Sequence, residues 1–164
     1  MRQEHTLLED DLPAGHSRCD TRVNGPLLAL TFEGAIGHPR PQRILFGEGS
    51  LDRESRWARM HLELDGQSVP FDLPPDALLD VQGAPALIGA TAQRLVRMGV
   101  RPGQSNEVEV VRVRSDGSVR RLKGRCVRLG GRDWRLLLPL ESTGFSVRAD
   151  GTVAVVEDAA LLVE

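Results

Sequence analysis

Four groupings of residues in this 164-residue chain have types and spacings that could support chemistry. His16 and Cys19, in Gly-His-Ser-Arg-Cys-Asp, show the H-x-x-C spacing of a transition-metal site. Zinc needs three or four such ligands. The other cysteine, Cys126, and the other histidines, His5, His38 and His61, stand singly, so no metal site is expected. A Cys–His nucleophile pair needs a thiolate favoured by a helix N-terminus or a fixed cation. Cys126 falls at a buried-looking strand position and Cys19 in turn-rich sequence, and neither place supplies that help. Two free thiols are the expectation.

Carboxylates gather at Asp72, Asp76 and Asp80. In helical sequence Asp76 and Asp80 share a face, and complementarity to the helix dipole accounts for them there. Gly47-Glu48-Gly49-Ser50 is glycine-rich, but its central carboxylate repels phosphate and no lysine follows. A phosphate loop needs the opposite charge, so this stretch reads as part of a surface loop. No catalytic residue, cofactor or metal ligand is assigned.

The basic grouping is the one that points to a partner. Twelve cations against four acids between Arg94 and Arg135 give that stretch +8 within a chain of net charge −2. Segregation on this scale steers association more than it shapes a fold. Along Val119–Arg125 the odd positions Arg121, Lys123 and Arg125 share one strand face. Arg112 and Arg114 lie across the Asp116-Gly117 turn. Paired as a hairpin, the five would form a cationic ladder on a sheet face. Such a face can be simply solvated, its Arg stems covering apolar surface; as a binding face it suits an acidic protein surface, or a nucleic acid or other anionic ligand. Aromatic residues make up only 4% of the chain, too few for a base-stacking platform.

These residues need elements to carry them. Residues 1–24 lack a hydrophobic period and read as a flexible acidic N-terminal tail, with 25–164 as a single domain. Leu27–Phe32 is a strand candidate, followed by a short apolar run at Ile44–Phe46 and a loop over Gly47–Ser55. Ala58, Met60, Leu62 and Leu64 alternate with polar residues, Asp65-Gly66 supplies a tight turn, and Val69, Phe71 and Leu73 alternate on the return. Pro74-Pro75 opens helical sequence. Ala84–Met98 carries helical rows and ends at Gly99, a C-terminal cap residue. Beyond Gly103, turn signals every 8–14 residues divide an antiparallel meander. Val110-Val111 and Cys126-Val127 break its alternation, which suggests a bulge or a changing buried face. The fold class is therefore α+β: antiparallel hairpins and a C-terminal β-meander packed with one or two helices.

With 40% hydrophobic and 27% charged residues the composition is that of a soluble globular protein. No apolar run approaches the length of a membrane span, and the acidic start has no signal-peptide core. A cytoplasmic location with no membrane insertion is expected.

The order Met60–Gly83 (strand, Asp-Gly turn, strand, Leu-Pro-Pro, short helix), then an Ala-rich helix, then a β segment closing on Trp134, Leu136 and Leu138, resembles the amino-terminal region of the cytoplasmic ring (sorting-platform, Q component) proteins of type III secretion, relatives of the flagellar motor switch. The dimerising β domain that ends those proteins has no counterpart after Leu140. The resemblance implies a non-catalytic scaffold or adaptor in a bacterial secretion or motility assembly, docking acidic surfaces of the apparatus. An anionic-ligand or nucleic-acid module using the Arg112, Arg114, Arg121, Lys123 and Arg125 face is the alternative, and an enzyme of unknown class the third.

Overall fold

The structure is a computed structural model that describes residues 1–9, 12–37, 41–148, 153–156 and 161–163. Asp10, Asp11, His38 and the expected Asp150-Gly151 turn lie outside the described residues. The strands are β1 (Arg2–Glu9), β2 (Leu12–Asn24), β3 (Leu27–Ile36), β4 (Arg43–Leu51), β5 (Trp57–Leu64), β6 (Gln67–Ser68) and β7 (Leu78–Val81). A 3₁₀ turn at Pro85–Leu87 runs into helix α1 (Ile88–Arg97). Then follow β8 (Ser105–Val113), β9 (Val119–Arg128), β10 (Asp133–Leu137), β11 (Ser142–Val147), β12 (Val153–Val156) and β13 (Leu161–Val163). Among the described residues these form one thirteen-stranded sheet with the order β6-β5-β4-β3-β2-β1-β13-β12-β11-β10-β9-β8-β7. The α+β class with hairpins and a meander holds.

That order is two meanders joined at the centre by β1 and β13. One connection breaks the neighbour-to-neighbour pattern, because residues 69–77 lead from β6 at one edge to β7 at the other. Flat, thirteen strands at ~4.8 Å spacing would put the edges nearly ~58 Å apart, whereas the link reaches at most ~35 Å fully extended. The sheet has to curl until its ends approach. They touch: the Trp57 amide donates to the Pro75 carbonyl at 2.9 Å and its indole N–H to the Ala77 carbonyl at 3.0 Å.

Curling buries the β7–β8 pair on both faces. Leu78, Val108 and Val110 join one core with α1, β9–β12 and Leu7 of β1. Leu79, Val81, Val111 and Val113 join a second core built on Phe32, Leu45, Trp57 and Leu62 of β3–β5. This explains the adjacent valines without a bulge, since the β8–β9 register runs unshifted. The β7–β8 pairing is parallel, which requires a crossover, and α1 provides it.

Three expectations are overturned. The presumed tail, residues 1–24, holds β1 and β2, whose inward residues Gln3, His5, Ser17 and Cys19 are buried but mostly polar. A strand that buries polar residues shows no hydrophobic period. The presumed loop after Phe46 continues as β4, with Gly47 and Gly49 facing in. The Phe32 ring lies over its cross-strand partner Gly47, where an added Cβ would come within 2.1 Å of the ring. The residues after Pro75 form no helix but a turn and β7, an edge strand buried on both sides. The hairpin stands as expected at β5 and its turn, with Asp65 at φ 52° and Gly66 at φ 76°. Its return strand stops after Ser68, before Pro70.

β3 and the loop after β7 approach so closely that a Cβ on Gly34 would lie 2.6 Å from the Gly83 carbonyl oxygen. Gly34→Ala is expected to cost roughly 1–3 kcal/mol through overpacking against backbone, read as a lower urea midpoint with an unchanged m-value. Wild-type stability in that variant would show that the two segments do not touch.

Candidate functional site

The cationic ladder expected from β8 and β9 is divided between two faces. Val111 pairs with Arg121 and Arg112 with Arg120, so Arg112 points to the side opposite Arg121, Lys123 and Arg125. Arg114 continues the Arg112 side past the end of β8, and burial holds its guanidinium below the ordinary value. The register also supplies counter-charges. Glu109 lies opposite Lys123 and Glu107 opposite Arg125. Arg121 reaches both Glu109 and Asp72, at 2.5 and 3.2 Å. Arg112 is held by Asp80 at 2.7 Å and by Glu141.

The carboxylate grouping has the same explanation. Asp72, Asp76 and Asp80 each face an arginine, namely Arg121, Arg94 and Arg112. They serve as counter-ions of separate elements and do not share a helical face. His16 and Cys19 point to opposite faces of β2, His16 exposed and Cys19 buried. Three residues apart in a strand cannot converge on one ion as they can on a helix. Cys19 and Cys126 are free, and burial pushes both thiols up to about 12. Both are therefore protonated at neutral pH. His61 pairs with Glu63 on its own strand at 3.0 Å.

A site that the sequence did not single out lies between α1 and the β9–β10 hairpin. It is a cleft of about 540 Å³ lined by Arg97, Arg128, Arg132 and Arg148, by Gln93, and by Ala92, Val96, Trp134 and Val147. Local structure places each of these. α1 ends in a Schellman motif: the Gly99 amide donates to the Val96 carbonyl and the Val100 amide to the Leu95 carbonyl, both at 3.0 Å, with Gly99 at φ 85°. This turn swings the Val100 carbonyl round to accept from Arg128 Nη1 at 2.8 Å. Arg128 Nη2 donates to the Gly131 carbonyl at 3.0 Å, and the guanidinium sits 5.6 Å from the centre of the Trp134 ring. Trp134 is itself stacked on its cross-strand partner Phe145, with centroids 6.4 Å apart. The Val147 amide donates to the Arg132 carbonyl at 2.9 Å, which brings the end of β11, and so Arg148, beside the hairpin turn.

The cleft concentrates arginines that lack counter-ions among the described residues. Among the described residues none of its four arginines forms an ion pair. Arg97 donates to the Arg53 carbonyl, and Arg128 is held by backbone with its buried Nε unpartnered. The Arg132 and Arg148 side chains are exposed. A second cleft of about 470 Å³, also lined by Trp134, mixes Asp133 with Arg135. Three of the four cleft arginines belong to the basic stretch seen in the sequence; Arg148 falls outside it.

No family model matches the sequence, and no curated protein matches it. Among solved structures the chain is similar to a DUF1089 family protein from Pseudomonas aeruginosa, with a TM-score of 0.48 and 14% identity over 96% of this chain and 90% of that one. No helix among the described residues is long and apolar enough to cross a membrane.

Titration enters the structure at His5. Its Nε2 lies 3.3 Å from the Val153 carbonyl, its Nδ1 has no partner, and the residue is 3% exposed. Burial lowers its pKa, and the hydrogen bond to Val153 only partly opposes the shift. Below the unfolded-state value near ~6.5 the unfolded chain takes up a proton that the folded chain resists. Stability is therefore expected to fall by up to about 1.4 kcal/mol between about pH 7.5 and 5.5, above the range where carboxylates titrate. Urea unfolding of wild type and His5→Phe at the two pH values checks this; an equal drop in both would remove His5 as the cause.

Proposed function

We propose that this protein is a non-catalytic binding module whose recognition site is the arginine cleft between α1 and the β9–β10 hairpin, and that it captures an anionic group. The observation that supports this is four arginines from three elements lining one cleft with no carboxylate among its described lining residues. Elsewhere some arginines are answered by a nearby acid, as Arg2 by Asp20, Arg43 by Asp65 and Arg112 by Asp80, and others such as Arg22, Arg59 and Arg101 stand apart from one another and do not gather in this cleft. Guanidinium forks match carboxylate and phosphate oxygens in pairs. A guanidinium keeps its proton in neutral water, so such a lining suits holding a ligand rather than exchanging protons with it.

Docking of an acidic protein, as the secretion-ring resemblance implies, would fall on the outer side of β9. There Glu107 and Glu109 lie opposite Arg125 and Lys123, and the face offers little net charge. The cleft is the better seat for an anion.

The test is a thermal-shift and tryptophan-fluorescence titration with inorganic phosphate and citrate. Wild type is expected to respond, and Arg132→Glu with Arg148→Glu to lose at least about tenfold in affinity, the worth of one charge-assisted hydrogen bond. Arg121→Glu with Arg125→Glu is expected to respond as wild type does. The reverse pattern would return the site to the strand face and overturn the cleft.

A further inference from the structure

Resting on that reading, we infer that the ligand is a phosphoryl group carried on an apolar chain or ring: the cleft that gathers Arg97, Arg128, Arg132 and Arg148 is also lined by Val96 and Val147. The charge count argues for phosphoryl over carboxylate. A carboxylate has one charge and two oxygens, and a single bidentate guanidinium satisfies it. A phosphate monoester carries nearly two charges on three strong acceptor oxygens, which matches several guanidiniums from different directions. Arg132 and Arg148 have no partner among the described residues, and Arg128 is already fixed in place by the Val100 and Gly131 carbonyls. Donors held before the ligand arrives lose little freedom on binding.

The rest of the volume argues for the apolar carrier. About 540 Å³ far exceeds a phosphoryl group. Ala92 and Val96 stand one helical turn apart on α1 and face the cleft beside Val147. Of these Val96 is 45% exposed, whereas Ala92 and Val147 are buried. Apolar surface at the mouth of a charged cleft is what an apolar carrier would cover. A nucleic acid fits less well, because the indole here is 2% exposed and already stacked on Phe145, so it offers no open face to a base.

The experiment is calorimetric titration of the full chain with hexyl phosphate, inorganic phosphate and hexanoate. Hexyl phosphate is expected to bind at least roughly tenfold tighter than inorganic phosphate, the gain from burying about two methylenes, and hexanoate more weakly than hexyl phosphate. Val96→Ser, at an exposed position, is expected to lower the ratio of hexyl phosphate to inorganic phosphate affinity severalfold. Equal binding of hexyl and inorganic phosphate, or equal binding of hexanoate and hexyl phosphate, overturns the inference while leaving the cleft as an anion site. Loss of binding for every anion overturns both. A phosphoryl group on an apolar carrier can come from a lipid or from a soluble ester, and co-sedimentation with phosphatidylcholine vesicles containing phosphatidic acid separates them. Vesicle binding that hexyl phosphate displaces assigns a lipid headgroup, and hexyl phosphate binding without vesicle binding assigns a soluble ester; both support the proposal. Vesicle binding that hexyl phosphate does not displace overturns it.

Discussion

The nine residues between β6 and β7 have to carry the chain from one edge of the sheet to the other, and that span is too short for a flat sheet. The geometry of both cores follows from it. Because the edges must meet, β7 and β8 lie between α1 on one side and β3–β5 on the other. Because β7 is then parallel to β8, a crossover must join them, and α1 is that crossover. The helix is thus held where its C-terminal turn can reach the β9–β10 hairpin. The Trp57 hydrogen bonds to Pro75 and Ala77 hold the two ends of the curl together.

Charge on this surface is organised by strand register. Antiparallel pairing places Glu107 and Glu109 against Arg125 and Lys123, and opposite charges directly across a ladder are mildly stabilising. Exposed pairs of this kind contribute little each, but they dispose of charge that would otherwise attract ligands indiscriminately. Of the cleft arginines only Arg128 lies in a ladder, opposite Trp134, so register supplies none of them with an acid. Arg128 shows what replaces a counter-ion: two backbone carbonyls and an indole face.

Much of the fold could be read from single-strand patterns. The alternation from Ala58 to Leu64 with Asp65-Gly66, the rows of α1 ending at Gly99, and the turns that divide β8 to β11 all came through, because each depends on local residues alone. β1 and β2 were illegible because Gln3, His5 and Ser17 fill inward positions that pattern reading reserves for hydrophobes. β4 was hidden by inward glycines whose space a neighbouring ring occupies. β7 was hidden by prolines that suit a helix start equally well. The basic stretch was visible as composition, but whether a given arginine is answered depends on what lies across from it, and that is a property of the assembled sheet. Arg121 looked free along its strand and is paired twice across it.

The central seam has a consequence for how the chain is made. β1 leaves the ribosome well before its second neighbour, β13, and Gln3 bonds Val153, 150 residues further on. At ~5–20 residues per second β1 waits on the order of ten seconds with one edge open. Open edges invite pairing with other chains, and charged residues along them discourage it. Arg2 and Glu4, both exposed, alternate with the buried Gln3 and His5. The polar character of β1, which hides it as a strand, is thus also the kind that discourages edge pairing until β13 arrives.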